Sequence, residues 1–583
     1  MKAGDAPFLS FLGRSGTNLA GRVVVQTLLF VAVALVVCFP LVNTDIWWHL
    51  AAGRLIVDSG WITSDPLAAD TLGRPWIDLH WLFQLAAFLL HRGGGPLALV
   101  LAKCALCALG ALLLARAAGT AAADAEDRTA PSDPTAVALC ALLLVAALYP
   151  VRYLALARPV VVTLVLLGAF FLVVEHFRRH RRPLVLLWLL PLQVIWANAQ
   201  PLFVLGPLLV ACYLAGDLLS AWLARRGVAG FRATLRRDHL RWLALALLGL
   251  AICGLLTPYG ARGWTLPFRL FFRIDPLGSE LFSLNVTENI PLWQLADDAP
   301  PWLVAFRWIA APALASFLLG WQRIELGRLL LLAVLFAFAL LANRNALLFC
   351  WLAAPLAALN ACTLLRRWPR LRRPLPWACV AVLLLVIVGR LARLPGEGAL
   401  AETAPFRVPR EAVARLALLG PRGGVFNSVR YGGYLAWTLH PRHRPSIDGR
   451  LVLRSAGEFA EHLRLADDPR TFVEHARQRD LRAALLPTAM PDRYLPLVRE
   501  LYHAADWRLV YTDGTQTLFL REDADPRLDP PAVDLARPEM VEAIGAELDR
   551  RYRDRPAIRA RAGRHLRRLL ERVGARPPAS ETR

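Results

Sequence analysis

The apolar residues of this chain fall in long, nearly unbroken runs instead of on one face of short amphipathic segments. Runs of membrane length occupy residues 22–42, 96–114, 135–149, 159–177, 183–197, 202–223, 241–256, 301–320, 329–341, 347–365 and 375–394. A helix crosses a bilayer core of about 30 Å with about 20 apolar residues, so the pattern predicts about eleven transmembrane helices. No small-residue cleavage site follows the first run, which therefore reads as a retained helix. Beyond residue 395 the runs shorten and mix with charge, marking a domain boundary. Val425-Phe426, Arg444 to Ile447, Ala483 to Leu486, and Leu509 to Tyr511 paired with Thr517 to Leu520 across Asp513-Gly514 read as short strands between helical stretches. The expected fold class is a polytopic α-helical membrane protein. A transmembrane domain over 1–394, with a long first outer loop at 43–95, precedes an α/β soluble domain over 395–538 and an arginine-rich, helical and partly disordered tail over 539–583.

Charge fixes the expected sidedness. Arg178, Arg179, Arg181 and Arg182 follow the fourth run, Arg225, Arg226, Arg232, Arg236 and Arg237 the sixth, and Arg366, Arg367, Arg370, Arg372 and Arg373 the tenth. Basic clusters stay on the cytoplasmic side, so the N-terminus is expected inside and the C-terminal domain outside. The net charge of +22 on 583 residues, 56% of them hydrophobic and 19% charged, lies mostly in such clusters. That distribution fits a membrane protein and argues against a nucleic-acid partner. All nine cysteines, including Cys104 and Cys107 in a C-x-x-C spacing, sit in apolar runs, where they read as small packing residues and imply no disulfide framework or zinc ribbon.

The outward-facing ends hold the residues with candidate chemistry. In the first outer loop Asp45 opens a short helix carrying Trp47, Trp48, His49 and Leu55. Asp45 is either an N-cap or a general base with His49 one turn away, and the tryptophans suit the membrane interface. Asp65, before Pro66, is a turn residue or a second carboxylate that binds a divalent cation or orients a substrate. Arg152 and Arg158 mark another outer helix end, Asn198 and Gln200 a short outer turn, and Arg344 a turn between two spans where the positive-inside bias gives it no purpose. The loop from Pro258 to Pro300 adds Asp275 and Glu288 as groups that cover a site or remain solvated. A base beside several guanidinium groups at headgroup level points to a phosphate leaving group, because the planar arginine fork pairs bidentately with phosphate oxygens. Gly432-Gly433-Tyr434 lacks the lysine and spacing of a phosphate loop.

Asp45-x-Trp47-Trp48-His49-Leu50, Gly53, Asp65-Pro66, Thr71, Gly73-x-Pro75-Trp76 and Trp81 together resemble the first outer loop of bacterial multi-pass envelope proteins grouped with the GT-C glycosyltransferases. Arg344-Asn345, Gly432-Gly433-Tyr434-Leu435-x-Trp437 and Asp448-Gly449-Arg450 are similar to the same group, so the resemblance touches nearly the whole chain. It implies a GT-C-like fold in the bacterial inner membrane and inverting transfer of a sugar from a polyprenyl-phosphate-linked donor to an envelope glycan, lipid or protein. Asp45 is the position of the key acid. The chain departs from better-known members in having Asp45-Ile46 where paired acids are frequent, and Asn198-Ala-Gln200 where Asn-x-His is frequent.

Residues and resemblance together assign Asp45 as catalytic, Arg152, Arg158 and Arg344 as binding the donor phosphate, and His49, Asp65, Asn198, Gln200 and Glu288 as contacting substrate. Two other readings stand beside a transferase: a non-catalytic relative that binds or hands on lipid-linked glycans, and a glycan polymerase or ligase.

Overall fold

The computed structural model describes residues 19–123, 132–228, 237–274, 280–295, 301–319, 325–489, 492–524 and 531–574. The expectations on Arg232, Arg236, Asp275 and the last residues of the tail lie outside them. The described chain forms two compact units, one of residues 1–40, 79–83 and 94–400, the other of residues 41–78, 84–93 and 401–583. The first outer loop thus groups with the C-terminal residues, a partition invisible to hydropathy.

Every predicted run coincides with a helix. They are α1 (Leu19–Val36), α3 (Trp81–Ala122), α4 (Pro134–Val151), α5 (Val160–His180), α6 (Leu189–Ala199), α7 (Leu205–Arg225), α8 (Arg237–Gly254), α10 (Pro301–Leu319), α11 (Leu326–Leu341), α12 (Ala346–Leu365) and α13 (Leu375–Leu391); α2 (Ile46–Ser59) and α9 (Gly260–Ile274) lie in the loops between them. Among the described residues seven helices are long and apolar enough to cross a membrane, and three more apolar helices, at 21–36, 183–199 and 326–341, are shorter. That count differs from the expected eleven because sequence runs were scored on hydropathy, whereas several helices stop short of 18 residues or, like α8 with Arg237, Asp238 and Arg241, begin on charge. In α3, Gly94 and Gly95 leave helical geometry just before Pro96, so the membrane-length half starts at that proline.

Within the helical unit, α4 packs on α12, α1 and α13, and α7 packs on α11 and α8. Glycines set the close approaches, as expected where lipid offers no hydrophobic drive between helices. A Cβ on Gly168 would come 2.8 Å from the Gly110 carbonyl oxygen, and one on Gly216 would strike the Gly327 backbone.

The other unit is built on a four-stranded sheet, β1 (Gly424–Asn427), β2 (Leu481–Pro487), β3 (Trp507–Thr512) and β4 (Gln516–Arg521), in the order β1-β2-β4-β3. β1 and β2 are parallel and the β3–β4 hairpin is antiparallel, turning through Gly514 at φ +79°. Residues 444–447 form no strand beyond one bridge from Pro445 to Val425. Pro445 has no amide to give a ladder, and the Ser446 amide is shared between Asn427 Oδ1 at 2.9 Å and the Val425 carbonyl at 3.3 Å. One sheet face packs on α14 (Arg410–Leu419) and α15 (Val429–Leu439). The opposite face packs on α16 (Ala456–Asp467), α17 (Pro469–Gln478), α18 (Leu495–His503), α19 (Pro538–Arg551) and α20 (Pro556–Val573). The arginine-rich α20 buries Ala562, Leu566, Leu569, Leu570 and Val573 in that core, leaving the arginines on its other side.

Candidate functional site

Asp45 stands at the N-cap of α2, yet its carboxylate makes no capping bond; its own amide donates to Asn43 Oδ1 at 3.0 Å. Gly449 lies close beside it: an added Cβ there would strike Asp45 Oδ1 and lie 3.2 Å from Trp48 Nε1. Helix α15 comes against the start of α2 at Gly433, where a Cβ would be 3.1 Å from the Thr44 carbonyl oxygen and 3.2 Å from the Trp48 nitrogen. Gly432 meets the Ile447 carbonyl more closely still, so that an added Cβ there would strike its oxygen. The two glycines allow tight packing of backbone, a use different from phosphate binding. Trp47 and Trp48 are both buried in protein, not turned to a membrane interface. Trp47 lies edge-on to Tyr434 at 5.0 Å, and Trp48 faces Trp76 at 6.3 Å. His49 is buried against the Trp48 ring. Trp437 carries His91 at 5.3 Å and the Arg54 guanidinium at 4.6 Å.

Around Gly449 the loop and the C-terminal residues are locked by charge. Arg450 Nη1 donates to Asp65 Oδ1 at 2.6 Å and Nη2 to Asp448 Oδ2 at 2.6 Å, with all three side chains no more than 3% exposed. A lone buried guanidinium would cost several kcal/mol, about the scale at which one missing partner unfolds a small domain. Burial pulls Arg450 toward deprotonation, but the two carboxylates outweigh it and hold its pKa above the ordinary value. The remaining capacity of Asp65 goes to the Thr71 hydroxyl at 2.5 Å and the Leu67 amide at 2.9 Å. Asp65 is therefore a turn residue, as one expectation had it, and also a buried counter-ion. His440 and Arg444 both reach the Pro66 carbonyl oxygen at 3.1 Å, and burial is the first cause that lowers the His440 pKa. At the rim Arg74 pairs with Glu458 at 2.7 Å.

In the helical unit, Arg158 precedes α5 and pairs with Glu288. Arg344, in the turn between α11 and α12, is exposed, and the charges acting on it are those of Glu288 and Arg158. The turn is placed by Asn343, whose Nδ2 donates to the carbonyls of Thr287 at 2.6 Å and Ile290 at 3.2 Å. Among the described residues the Arg344 guanidinium makes no hydrogen bond or ion pair. The Arg152 guanidinium lies between the rings of Tyr149 and Tyr153, each 4.4 Å away. Asn198 spends its amide on Trp81 Nε1 at 2.8 Å and on the carbonyls of Val194 and Leu256. Gln200 accepts from the Thr163 hydroxyl at 2.5 Å. These two side chains tie helix ends together.

Sequence reasoning passed over a second charged group in this unit. Glu175, 1% exposed within α5, is gripped by Arg328 at 2.7 Å and by the Tyr213 hydroxyl at 2.5 Å. Arg178 beside it joins Asp217 and, at 2.5 Å, Glu325. An acid inside an apolar run, as Glu175 and Asp217 both are, was the signal available, because such residues need a partner in lipid.

No family model and no curated protein matches this chain. Its fold, however, is shared with solved structures. The archaeal oligosaccharyltransferase AglB from Archaeoglobus fulgidus, in complex with an inhibitory peptide and a dolichol-phosphate, superposes with a TM-score of 0.55 at 12% identity, covering 88% of this chain and 75% of that one. The A. fulgidus enzyme tethered to an acceptor peptide containing the NVT sequon gives a TM-score of 0.53 at 12% identity over 82% and 70%, and its apo form gives 0.52 at 13% over 82% and 71%. At these identities the likeness establishes a shared fold and nothing of role, in a chain with several helices long and apolar enough to cross a membrane.

Proposed function

We propose that this chain is a membrane glycosyltransferase that takes a sugar from a polyprenyl-phosphate-linked donor and passes it, with inversion, to an envelope acceptor on the outer side of a bacterial inner membrane. The observation that carries the reading is the place of Asp45: on a chain with the fold of an oligosaccharyltransferase, an acid opens the helix of the first outer loop, with the Gly449 backbone beside its carboxylate.

In this mechanism Asp45 accepts the proton of an acceptor hydroxyl while the acceptor oxygen bonds to the anomeric carbon. The bond from that carbon to the phosphate oxygen breaks, and its electron pair leaves on the phosphate. Arg152, Arg158 and Arg344 take up the developing charge. Glu288 aims Arg158, His49 and Asp65 hold the loop that carries Asp45, and Asn198 and Gln200 hold helix ends. The donor set does not suit a divalent cation, since Asp65 and Asp448 are committed to Arg450 and no group of three His, Cys, Asp or Glu side chains is placed to hold one among the described residues. No step is therefore routed through a metal.

The test is a deletion strain complemented with wild type or Asp45→Asn, with envelope glycans and accumulated polyprenyl-linked sugars read by mass spectrometry. Loss of a positioned general base lowers turnover by about 10²–10⁴-fold. The variant is expected to fold, to accumulate donor and to leave the glycan missing. Equal rescue by both genes would overturn the enzymatic reading in favour of a protein that binds or hands on lipid-linked glycans.

A further inference from the structure

Helix α9 (Gly260–Ile274) contains none of the residues assigned to sugar transfer, and it is fixed near both ends by the tips of other helices of the helical unit. Near its start Trp264 meets Gly254, the last residue of α8, where an added Cβ would come 2.8 Å from Trp264 Cδ1 and 3.1 Å from Phe203 Cε2. Phe203 belongs to the short turn, Pro201–Val204, that opens the membrane-length helix ending at Arg225. Near its end Phe271 packs on Phe338, in the last turn of α11, with ring centroids 6.1 Å apart. All three helix ends touch α9, so it runs across the tips of apolar helices, at headgroup level, instead of continuing the direction of α8.

The faces of α9 differ sharply. At 3.6 residues per turn Arg262, Arg269 and Arg273 fall within about 40° of one another, and α9 has no acidic residue to offset them. Gly263 and Leu266 are buried on the docked side. Phe268, Phe271 and Phe272 are exposed on the arc that adjoins the arginines, Phe272 to 74% of its surface. Arg262 and Arg269 are exposed too; Arg269 Nη2 donates to the Arg262 carbonyl oxygen at 3.2 Å, and among the described residues neither guanidinium meets a carboxylate. The Arg273 guanidinium lies over the Phe282 ring at 4.5 Å. Water penalises an open aromatic arc, whereas a bilayer surface suits both halves: acyl chains take the rings and headgroup phosphates take the guanidinium groups. On the expected sidedness this end of the bundle faces outward, where the positive-inside bias gives three arginines no purpose.

We propose that α9 is a lipid-binding surface that lies in one leaflet of the membrane and selects anionic phospholipid. Arg262, Arg269 and Arg273 hold headgroup phosphates while Phe268, Phe271 and Phe272 enter the acyl chains. A zwitterionic headgroup brings its own cation to the phosphate, so a row of arginines without an acid favours a headgroup of net negative charge. Lipid and not a soluble protein is the occupant, because the helix is pinned to the tips of apolar helices, one of them of membrane length.

Full-length protein in phosphatidylcholine nanodiscs with a rising share of phosphatidylglycerol tests this. Wild type is expected to show a saturable rise in melting temperature, and native mass spectrometry of protein released from mixed discs is expected to find phosphatidylglycerol retained ahead of phosphatidylcholine. An arginine near an anionic surface is worth about fivefold in binding, so Arg262→Gln/Arg269→Gln is expected to weaken that retention about 25-fold. Both side chains are exposed, and the variant is expected to melt as wild type does in pure phosphatidylcholine. All nine native cysteines are buried, so a nitroxide can be placed at Phe272→Cys, where it is expected to collide more with oxygen than with a water-soluble nickel chelate. Equal retention in wild type and variant, or a variant that melts well below wild type in pure phosphatidylcholine, would overturn the lipid site. A nitroxide open to the nickel chelate, or shielded from both reagents by a protein partner, would overturn the placement in the leaflet. Retention of a polyprenyl phosphate in place of phosphatidylglycerol would overturn the choice of bilayer phospholipid. None of these readouts depends on sugar transfer.

Discussion

Helix α5 joins two contrasting regions of the helical unit. At its C-terminal end Arg178 and Arg328 are met by Glu175, Asp217 and Glu325, with the Tyr213 hydroxyl completing the set. At its N-terminal end Arg158 has Glu288, but Arg344 beside them has no carboxylate of its own among the described residues. The first region is saturated and mostly buried, whereas the second leaves an exposed guanidinium beside an ion pair. Matched charge in low dielectric holds helices in one arrangement, and unmatched charge is available to a ligand.

Substitutions in each region sharpen the contrast. The largest effect on stability is expected from Arg328→Ala, which leaves Glu175 buried with one partner removed; breaking a buried pair costs about 3–5 kcal/mol. Thermal unfolding in detergent checks it, and a melting temperature within about a degree of wild type would show that the cluster carries no structural weight. Arg344→Ala is expected to do the opposite, leaving melting unchanged while turnover drops by about 10²-fold, the scale of losing one donor to a developing oxyanion. Turnover and melting on the same preparation decide the matter, and a fall in stability without a fall in rate would move Arg344 into the scaffold.

The smallest effect belongs to a matched but half-exposed pair. The hydrogen bond from Arg74, then those from Ser455, pull the Glu458 carboxyl down to about 2, below its ordinary value. A depressed carboxyl contributes stability above its unfolded pKa and loses it as pH falls through the folded one, so the window runs from about 4.5 down to about 2. With both side chains more than a third exposed, solvent screening keeps the contribution under about 1 kcal/mol. Urea unfolding of Glu458→Gln is expected to match wild type only below about pH 2 and to fall slightly below it at pH 7; a larger gap at low pH would reverse the sign.

Local pattern was enough for some features and blind to others. Each apolar run fell on a helix, and the Asp513-Gly514 hairpin sits between β3 and β4, where the three-residue connection Asp513 to Thr515 needs φ above zero at the glycine. The run from Arg444 to Ile447 misled, since alternation alone ignores the missing amide of Pro445. Trp47 and Trp48 are adjacent and so point to different sides of a helix. The preference of indole rings for headgroup level pointed them to the membrane interface, but the partners that bury them, Tyr434 and Trp76, come from distant and nearby segments alike.

By itself the sequence determined where the chain enters a helix, where it turns and where it stops being apolar, because these depend on neighbours within a few residues. Only the tertiary structure decided which charges are spent. Asp65 and Arg450 are 385 positions apart and Glu175 and Arg328 are 153 apart. A carboxylate's role follows from the groups that surround it when water is removed, and that is a property of the packed chain, not of the order of its residues.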